Sequence, residues 1–207
     1  MLLANNISFK RNNKIILNNV NLSLSSKKII HLTGKNGAGK TTFLKILINI
    51  LQPETGEVFW NGKNIKKNFF NFYKDTTFIM DQQTANKSLR VKENILFWTK
   101  LFNSKRNFKE IDSILELLLL SEYKNTYVNN LSYGEIKKLE LSRLIIEQKK
   151  LWLLDEPFIG LDSRSIELIS QTIKNHAELG GMVIFTSHID PKINYVETLN
   201  IENDTDF

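Results

Sequence analysis

The chain has 207 residues, a net charge of +6 and no cysteine, with 42% hydrophobic and 24% charged residues. This composition is typical of a globular protein with one sizeable domain, and the lack of cysteine excludes structural disulfides and thiolate metal sites. No apolar run reaches the roughly 18 residues that cross a bilayer and residues 1–6 lack a signal-peptide pattern, so we expect a soluble chain that reaches a membrane only through a partner.

The first 33 residues are predicted to be rich in β-strand. Residues 6–9 and 20–24 alternate between apolar and polar with period two, and Asn12-Asn13 supplies a turn between them. Residues 29–33 are predicted to form a buried strand, which leads directly into the first motif.

Residues 34–42 have the sequence GKNGAGKTT, which matches the phosphate-binding pattern GxxxxGK[ST]. Glycines let successive backbone N–H groups point at one anion, Lys40 adds a charge for the β- and γ-phosphates, and Thr41 offers a hydroxyl to Mg²⁺. A helix predicted at 43–48 would place its N-terminus against the phosphates. The predicted nucleotide-binding residues of this loop are Gly34, Asn36, Gly37, Ala38, Gly39, Lys40, Thr41 and Thr42.

The middle of the chain changes from strand to helix patterns. Residues 57–60 are predicted to be a strand that turns at Asn61-Gly62, and 78–80 are predicted to be another strand. Residues 91–102 and 108–120 show helical spacing of their apolar residues. We expect most of Phe97, Trp98, Leu101 and Phe102 to be core, with one or two exposed.

Residues 131–135, LSYGE, fit the capping box S-x-x-E, so Ser132 is predicted to start a helix. The apolar face of this helix includes Leu139, Leu144 and Ile145. Its first turn presents backbone amides and a partial positive charge.

Residues 151–154 form a continuous apolar run that ends in Asp155 and Glu156. Such a run suits a parallel strand buried on both faces, and chemistry in open α/β sheets lies at the carboxyl ends of the strands. Asp155 is predicted to hold Mg²⁺ through water, and Glu156 to orient and polarise an attacking water as general base.

Three histidines occur in the chain. His31 and His176 are predicted to be structural. His188 follows an apolar strand at 182–185 and is expected near Asp155 and Glu156.

The lysines are scattered in pairs, with no basic stripe interleaved with aromatic residues. This pattern favours a solvated basic surface over nucleic-acid binding. Residues 197–207 turn acidic.

Residues 131–135 resemble the LSGGQ signature of ABC ATPases, and further motifs of that family occur in its order. Gln82 matches the Q-loop glutamine, 160–162 match the D-loop and His188 matches the switch histidine. The resemblance spans residues 34 to 188. It implies an α/β P-loop NTPase fold of the ABC ATPase type, with a mixed sheet core, an antiparallel β subdomain and a small helical subdomain inserted at about 83–150 of a single cassette, 1–207.

The resemblance also implies ATP and Mg²⁺ as ligands and assigns roles. Glu156, His188 and Gln82 are the expected catalytic residues, and Thr41, Gln82 and Asp155 the expected metal ligands. Ser132 and Gly134 would contact the γ-phosphate bound by a second copy of the chain in an ATP-sandwich dimer. The family stacks an aromatic residue on adenine, and that position falls near Arg11, with Phe9 the nearest aromatic; the alternative is that Phe9 is core and Arg11 is solvated.

Two positions depart from the signature, because Tyr133 replaces a glycine and Glu135 replaces glutamine. A carboxylate suits the helix N-terminus but is less favourable beside a triphosphate. We expect ATP affinity across the dimer to be weakened but not abolished.

Residues 151–158, 160–162 and 180–184 are similar to the ATPase subunits of the haem exporter of cytochrome c maturation. This implies a peripheral inner-membrane subunit on the cytoplasmic side, or on the matrix side in a mitochondrion. Its partners would be integral membrane subunits of the CcmB and CcmC kind. A cytoplasmic helix of the membrane subunit would enter a groove formed by the helical subdomain and the Q-loop, and ATP hydrolysis would release a haem-loaded chaperone. No Cys-x-x-Cys-His motif is present, so no direct haem binding is expected.

Two alternatives stay open from the residues. One is an ABC transporter ATPase for another cargo, such as an ion, a lipid or a drug. The other is a non-transport cassette acting on nucleic acid or ribosomes, although such proteins usually carry two cassettes or a long coiled-coil insertion.

Overall fold

The computed structural model describes residues 1–102, 104 and 108–201, so residues 202–207 of the acidic stretch lie outside the described part. In chain order, the elements there are β1 (Leu2–Arg11), β2 (Lys14–Leu24), β3 (Ile29–Thr33), α1 (Lys40–Leu47), β4 (Thr55–Trp60), β5 (Lys63–Asn64), α2 (Phe69–Asp75), β6 (Thr76–Ile79), α3 (Val91–Leu101), α4 (Phe108–Leu117), α5 (Tyr133–Glu147), β7 (Leu151–Leu154), α6 (Ser163–Glu178), β8 (Met182–Thr186) and β9 (Glu197–Asn200). Two short 3₁₀ helices, Ser121–Tyr123 and Val128–Asn130, lie between α4 and α5.

The central sheet has the strand order β6-β7-β8-β3-β9, and its neighbours pair in parallel. Its register places Ile79 opposite Leu154, and Leu154 opposite Phe185. The strands therefore end together, and the segments that follow β3, β6, β7 and β8 emerge at one edge of the sheet. The phosphate loop, Gln82, the acids after β7 and His188 all lie in these segments.

The antiparallel sheet has the order β2-β1-β4-β5. The predicted turn between its first two strands is present, with φ angles of +51° at Asn12 and +63° at Asn13. Asparagine tolerates this left-handed region, which a tight hairpin turn requires.

The central sheet lies between two hydrophobic clusters, because successive side chains of a strand point to opposite faces. Leu151 and Leu153 pack with α1 and the antiparallel sheet, whereas Trp152 and Leu154 pack with the helices on the other side. All four are buried, which explains the continuous apolar run at 151–154.

Helices α3, α4 and α5 occur between β6 and β7 and share one apolar cluster. Of the four apolar residues 97, 98, 101 and 102, Trp98 is buried and Phe102 is partly buried, while Phe97 and Leu101 are 51% and 60% exposed. Two exposed side chains agree with the expectation, but the prediction that most of the four are core is wrong. In the part of the chain that the structure describes, no helix has the length and apolar character needed to cross a membrane.

The expectation that lysines and aromatic residues do not interleave is wrong for residues 61–74. This segment contains Lys63, Lys66, Lys67 and Lys74, and Phe69 and Phe70 between them are more than half exposed. Within α2, Phe70 and Lys74 are four residues apart and share a helix face, and Lys63, Lys66 and Lys67 precede the helix.

Candidate active site

The phosphate-binding loop joins β3 to α1. Gly37 and Gly39 have φ angles of +80° and +104°, which L-residues with a side chain rarely adopt. At Gly39 a Cβ atom would also lie 2.9 Å from Cγ2 of Ile16 on β2. The loop therefore depends on glycine both for its backbone conformation and for its close packing on the antiparallel sheet.

Lys40 is the first residue of α1 and is 8% exposed. Its Nζ donates hydrogen bonds to the carbonyl oxygens of Gly34, at 2.7 Å, and Lys35, at 3.3 Å. The ammonium group is thus folded back over the loop, where it can meet a phosphate held by the loop amides and the N-terminus of α1.

Asp155 follows β7 and is 3% exposed. Its Oδ1 accepts hydrogen bonds from Thr41 Oγ1 at 3.1 Å and from Thr186 Oγ1 at 2.8 Å. The sequence-predicted metal residues Thr41 and Asp155 are therefore in contact. A hydroxyl and a carboxylate are hard oxygen donors, and Mg²⁺ typically takes one or two such protein ligands with phosphates and waters completing its shell, so these residues fit the ion.

Glu156 has a φ angle of +49°, an uncommon conformation for a residue with a side chain. Its N–H donates to Thr186 Oγ1 at 2.9 Å, and its Oε1 lies 3.4 Å from Nε2 of His188. The His188 N–H also donates to Oε2 at 3.3 Å. Backbone strain of this kind clusters at functional sites, and here it orients the carboxylate beside the histidine.

Gln82 lies in the loop after β6, and its side chain is exposed. The Asp155 N–H donates to the Ile79 carbonyl at 2.8 Å, which holds the start of this loop against the end of β7. Gln82 is therefore at the same sheet edge as Asp155 and Glu156.

The capping box at the start of α5 is confirmed. Ser132 Oγ accepts from the Glu135 N–H at 3.3 Å, and Glu135 Oε2 accepts from the Ser132 N–H at 2.7 Å. Desolvation alone would raise the pKa of Glu135, but hydrogen bonds from Ser132 and Tyr123 outweigh it and the pKa is lowered. Glu135, which replaces the signature glutamine, is therefore an ionised residue that caps the N-terminus of α5.

Tyr133 links the signature to two other loops, a role that the sequence did not indicate. Its hydroxyl donates to Asp81 Oδ1, beside Gln82, at 3.2 Å. A Cβ on Gly160 would lie 2.5 Å from the tyrosine ring, and one on Gly134 would lie 2.4 Å from the Gly160 carbonyl. The signature, the Gln82 loop and the loop at 160–162 are therefore packed together.

Two buried charged residues of α5 also hold the Gln82 loop. Glu140 Oε1 accepts from the backbone N–H groups of Thr84 and Ala85 and from the Thr84 hydroxyl. Lys137 Nζ donates to the Met80 carbonyl at 3.4 Å and lies 3.9 Å from Asp81 Oδ1. Desolvation lowers the pKa of Lys137, although the neighbouring carboxylates oppose the shift.

The remaining predicted residues lie elsewhere. Arg11 is exposed at the end of β1, and Phe9 is partly buried against the core beneath the antiparallel sheet.

His31 stacks on Phe185 with ring centroids 4.6 Å apart and its Nε2 lies 3.1 Å from the Ser187 carbonyl. His31 thus supports the segment before His188. Thr186, which bonds both acids, was missed, and its only sequence signal is its place at the end of β8.

Comparisons with known proteins agree with this geometry. A family model described as ABC transporter matches residues 17–159. The chain belongs to this family, and the family and fold predicted from the motifs are confirmed. It is accordingly an ATP-hydrolysing transporter subunit.

Two similar relatives are named cytochrome c biogenesis ATP-binding export protein CcmA. The one from Reclinomonas americana is 36% identical over 93% of this chain and 86% of its own length. The one from Dechloromonas aromatica is 32% identical over 91% of this chain and 92% of its own length.

Solved structures share the fold. One described as the ATP-binding subunit of an ABC transporter has a TM-score of 0.85 at 19% identity and covers 98% of this chain and 86% of that chain. A dimeric ATP-binding cassette in a post-hydrolysis state with ADP and phosphate has a TM-score of 0.81 at 24% identity, covering 98% of this chain and 94% of that chain.

Proposed function

We propose that this protein is the ATP-hydrolysing subunit of an export complex for haem in cytochrome c maturation, in which hydrolysis powers release of a haem-loaded chaperone. The Glu156–His188 pair beside Asp155, at the mouth of the phosphate loop, is the observation that supports hydrolysis. The names of the CcmA relatives support the cytochrome c assignment.

One cassette spans 1–207 in this proposal, and α3 to α5, within about residues 83–150, are its helical subdomain. The amides of 34–42 and Lys40 bind the β- and γ-phosphates of ATP. Thr41, Asp155 and Gln82 would hold Mg²⁺, which supplies charge neutralisation at the phosphates when bound. Arg11 is the proposed adenine contact, because it is exposed where Phe9 is partly buried.

Glu156 accepts the proton of the attacking water, and the contacts of its carboxylate with His188 hold it in place for that step. His188 and Gln82 orient the water toward the γ-phosphate. Phosphoryl transfer needs little covalent help, because positioning and charge stabilisation lower most of the barrier.

A second copy completes each site. Ser132 and Gly134 start α5, whose N-terminal amides and partial positive charge suit the γ-phosphate held by the partner copy. Tyr133 also contacts Asp81 and Gly160 of its own chain. These contacts connect the part of α5 that meets the partner copy's γ-phosphate to the Gln82 loop.

The membrane partners are integral subunits of the CcmB and CcmC kind. Phe97 and Leu101 on α3 are exposed apolar side chains that suit a docked helix from such a subunit. The attachment is peripheral, on the cytoplasmic side of the inner membrane or the matrix side of a mitochondrion. This chain contacts neither haem nor nucleic acid in the proposal.

The test is affinity purification of the tagged chain from gently solubilised membranes, with ATP hydrolysis measured on the same sample. Recovery of the haem-export membrane subunits supports the proposal, whereas a different permease, or ribosomes without a membrane protein, overturns the cytochrome c role. Glu156→Gln should abolish hydrolysis and retain ATP binding. The exposed Glu167→Gln is the matched control and should leave hydrolysis unchanged.

A further inference from the structure

One face of α2 carries exposed aromatic rings. Phe69 and Phe70 are 55% and 63% exposed, whereas Phe72 is buried and packs edge-on against Trp60. At about 100° per residue, positions 69, 70, 73 and 74 fall within an arc of about 140°, away from Phe72. Both the solvent side and the core side of this helix therefore carry aromatic side chains.

Contacts on this face hold the rings in a common arrangement. The Phe69 and Tyr73 ring centroids are 6.4 Å apart, and Lys74 Nζ lies 4.4 Å from the centroid of the Phe70 ring. The Tyr73 hydroxyl donates to the Ile48 carbonyl at 3.0 Å, two residues before Ile50, which is also exposed. The α2 surface is defined here as Ile50, Lys66, Lys67, Phe69, Phe70, Tyr73 and Lys74.

The charge of this surface has one sign. Residues 61–74 include four lysines and no aspartate or glutamate. Asp75 follows directly, but its carboxylate accepts from Trp60 Nε1 at 3.1 Å and lies 3.4 Å from Lys150 Nζ. The carboxylate of Glu57, on β4, accepts from Asn64 Nδ2 at 2.8 Å. The carboxylates of Asp75 and Glu57 therefore both have partners within the chain.

The α2 surface is remote from the catalytic edge. Helix α2 runs into the amino end of β6, whereas the loop with Lys40, the acids after β7 and His188 follow carboxyl ends of the same sheet. No catalytic or nucleotide-binding role explains aromatic side chains at this place.

We propose that the α2 surface binds the headgroup region of an anionic lipid membrane. Aromatic rings partition to the headgroup level, and lysines are attracted to anionic lipids, so this one partner satisfies both features. The segment 61–74 has lysine but no arginine. Compact, freely rotating ammonium charges suit a diffuse layer of lipid phosphates, whereas recognition of a fixed acidic group or nucleic acid typically relies on the arginine fork. This surface would add a direct lipid contact to any contact made through a membrane subunit.

The experiment is flotation of the purified full chain with vesicles of phosphatidylcholine, with and without phosphatidylglycerol. We expect binding to the anionic vesicles, weaker binding as salt rises, and little binding to the neutral ones. The double variants Phe69→Ser/Phe70→Ser and Lys66→Glu/Lys67→Glu should each reduce partition on the order of tenfold.

Matched control variants distinguish binding by the α2 surface from nonspecific binding of the protein to vesicles. Phe97→Ser/Leu101→Ser removes the exposed apolar pair of α3, and Lys87→Glu/Lys100→Glu reverses two exposed lysines elsewhere. Both should retain vesicle binding, and the α2 variants should retain ATP hydrolysis in solution, which makes failure of this proposal distinguishable from failure of the ATPase assignment. Equal loss in test and control variants, absence of vesicle binding, or α2-dependent binding to a single-stranded oligonucleotide alone would overturn it.

Discussion

At the residue scale, Tyr133 is the departure from the family signature with the clearest structural consequence. Where the signature has glycine, this chain has a ring on Gly160 and a hydroxyl on Asp81. Burial and then Asp81 raise the pKa of Tyr133, so the phenol stays protonated and can donate that hydrogen bond at neutral pH. A side chain that reaches Asp81 can position the neighbouring Gln82.

Tyr133→Phe should therefore slow turnover without weakening nucleotide binding. Losing one hydrogen bond worth about 1 kcal/mol corresponds to about a fivefold lower kcat if the bond orders the Gln82 loop in the transition state. Steady-state kinetics would check this, with Tyr127→Phe, an exposed tyrosine, as the control. A rise in the KM for ATP with kcat unchanged would contradict the positioning role.

Glu135→Gln addresses the second departure. Glutamine can still accept from the Ser132 N–H, but it removes a negative charge from the N-terminus that would meet the partner's γ-phosphate. We expect ATP-driven dimerisation to become a few-fold tighter, since one unfavourable charge–charge contact is removed. Light scattering against ATP concentration would measure this, and weaker dimerisation or slower hydrolysis would count against it.

At the element scale, α5 and the Gln82 loop are fastened together through Glu140 and Lys137. A buried carboxylate is costly unless its acceptor capacity is used, and Glu140 accepts from two backbone N–H groups and a hydroxyl. These contacts join α5 directly to the loop that carries Gln82. In the proposed complex, a membrane subunit that shifts α3 would therefore displace α5, which packs with it, and through α5 the Gln82 loop.

Glu140→Gln keeps the size of the side chain but replaces charge-assisted hydrogen bonds by neutral ones. We expect a loss of about 1–2 kcal/mol in the free energy of unfolding, because charge-assisted bonds are roughly twice as strong. Hydrogen exchange of the Thr84 and Ala85 amides should become faster. The exposed Glu178→Gln on α6 serves as control, and equal effects of the two variants would refute the fastening role.

At the scale of the whole molecule, the two edges of the central sheet differ in chemistry. The carboxyl edge carries the polar groups of the candidate active site, whereas at the amino edge His176 stacks on Trp152 with ring centroids 3.6 Å apart. A Cβ on Gly181 would lie 2.1 Å from the imidazole Nε2, so a glycine is required for this stacking. Desolvation lowers the pKa of His176 from 6.5 to about 4, despite its contact with the Lys150 carbonyl.

This shift predicts that stability falls as the protein is acidified. Between pH 6.5 and about 4 the unfolded chain binds the His176 proton and the folded protein does not, so protonation favours unfolding in that window. Allowing for partial solvent screening, we expect a loss on the order of 2 kcal/mol. Urea unfolding across this range would measure it, and His176→Phe should flatten the profile. An unchanged slope in that variant would rule out His176 as the cause.

Local patterns predicted the groups whose chemistry depends on spacing along the chain. The glycines and Lys40 of the phosphate loop, the Ser132–Glu135 cap and the acids after β7 are each specified by neighbours within a few residues. By contrast, Tyr133 and Asp81 are 52 positions apart, and Glu140 and Thr84 are 56 apart. Contacts of that separation depend on strand order and helix packing, which periodicity alone does not give.

The sequence by itself determined the family, the phosphate loop and the side of the sheet on which the chemistry lies, because backbone conformation, capping and strand polarity are local properties. Only the tertiary structure decided which apolar residues face water. Phe72 and Trp98 are buried while Phe70 and Phe97 are exposed, although their sequence surroundings look alike. The reason is physical: burial is set by what packs against each helix face, and a helix does not contain that information within its own sequence.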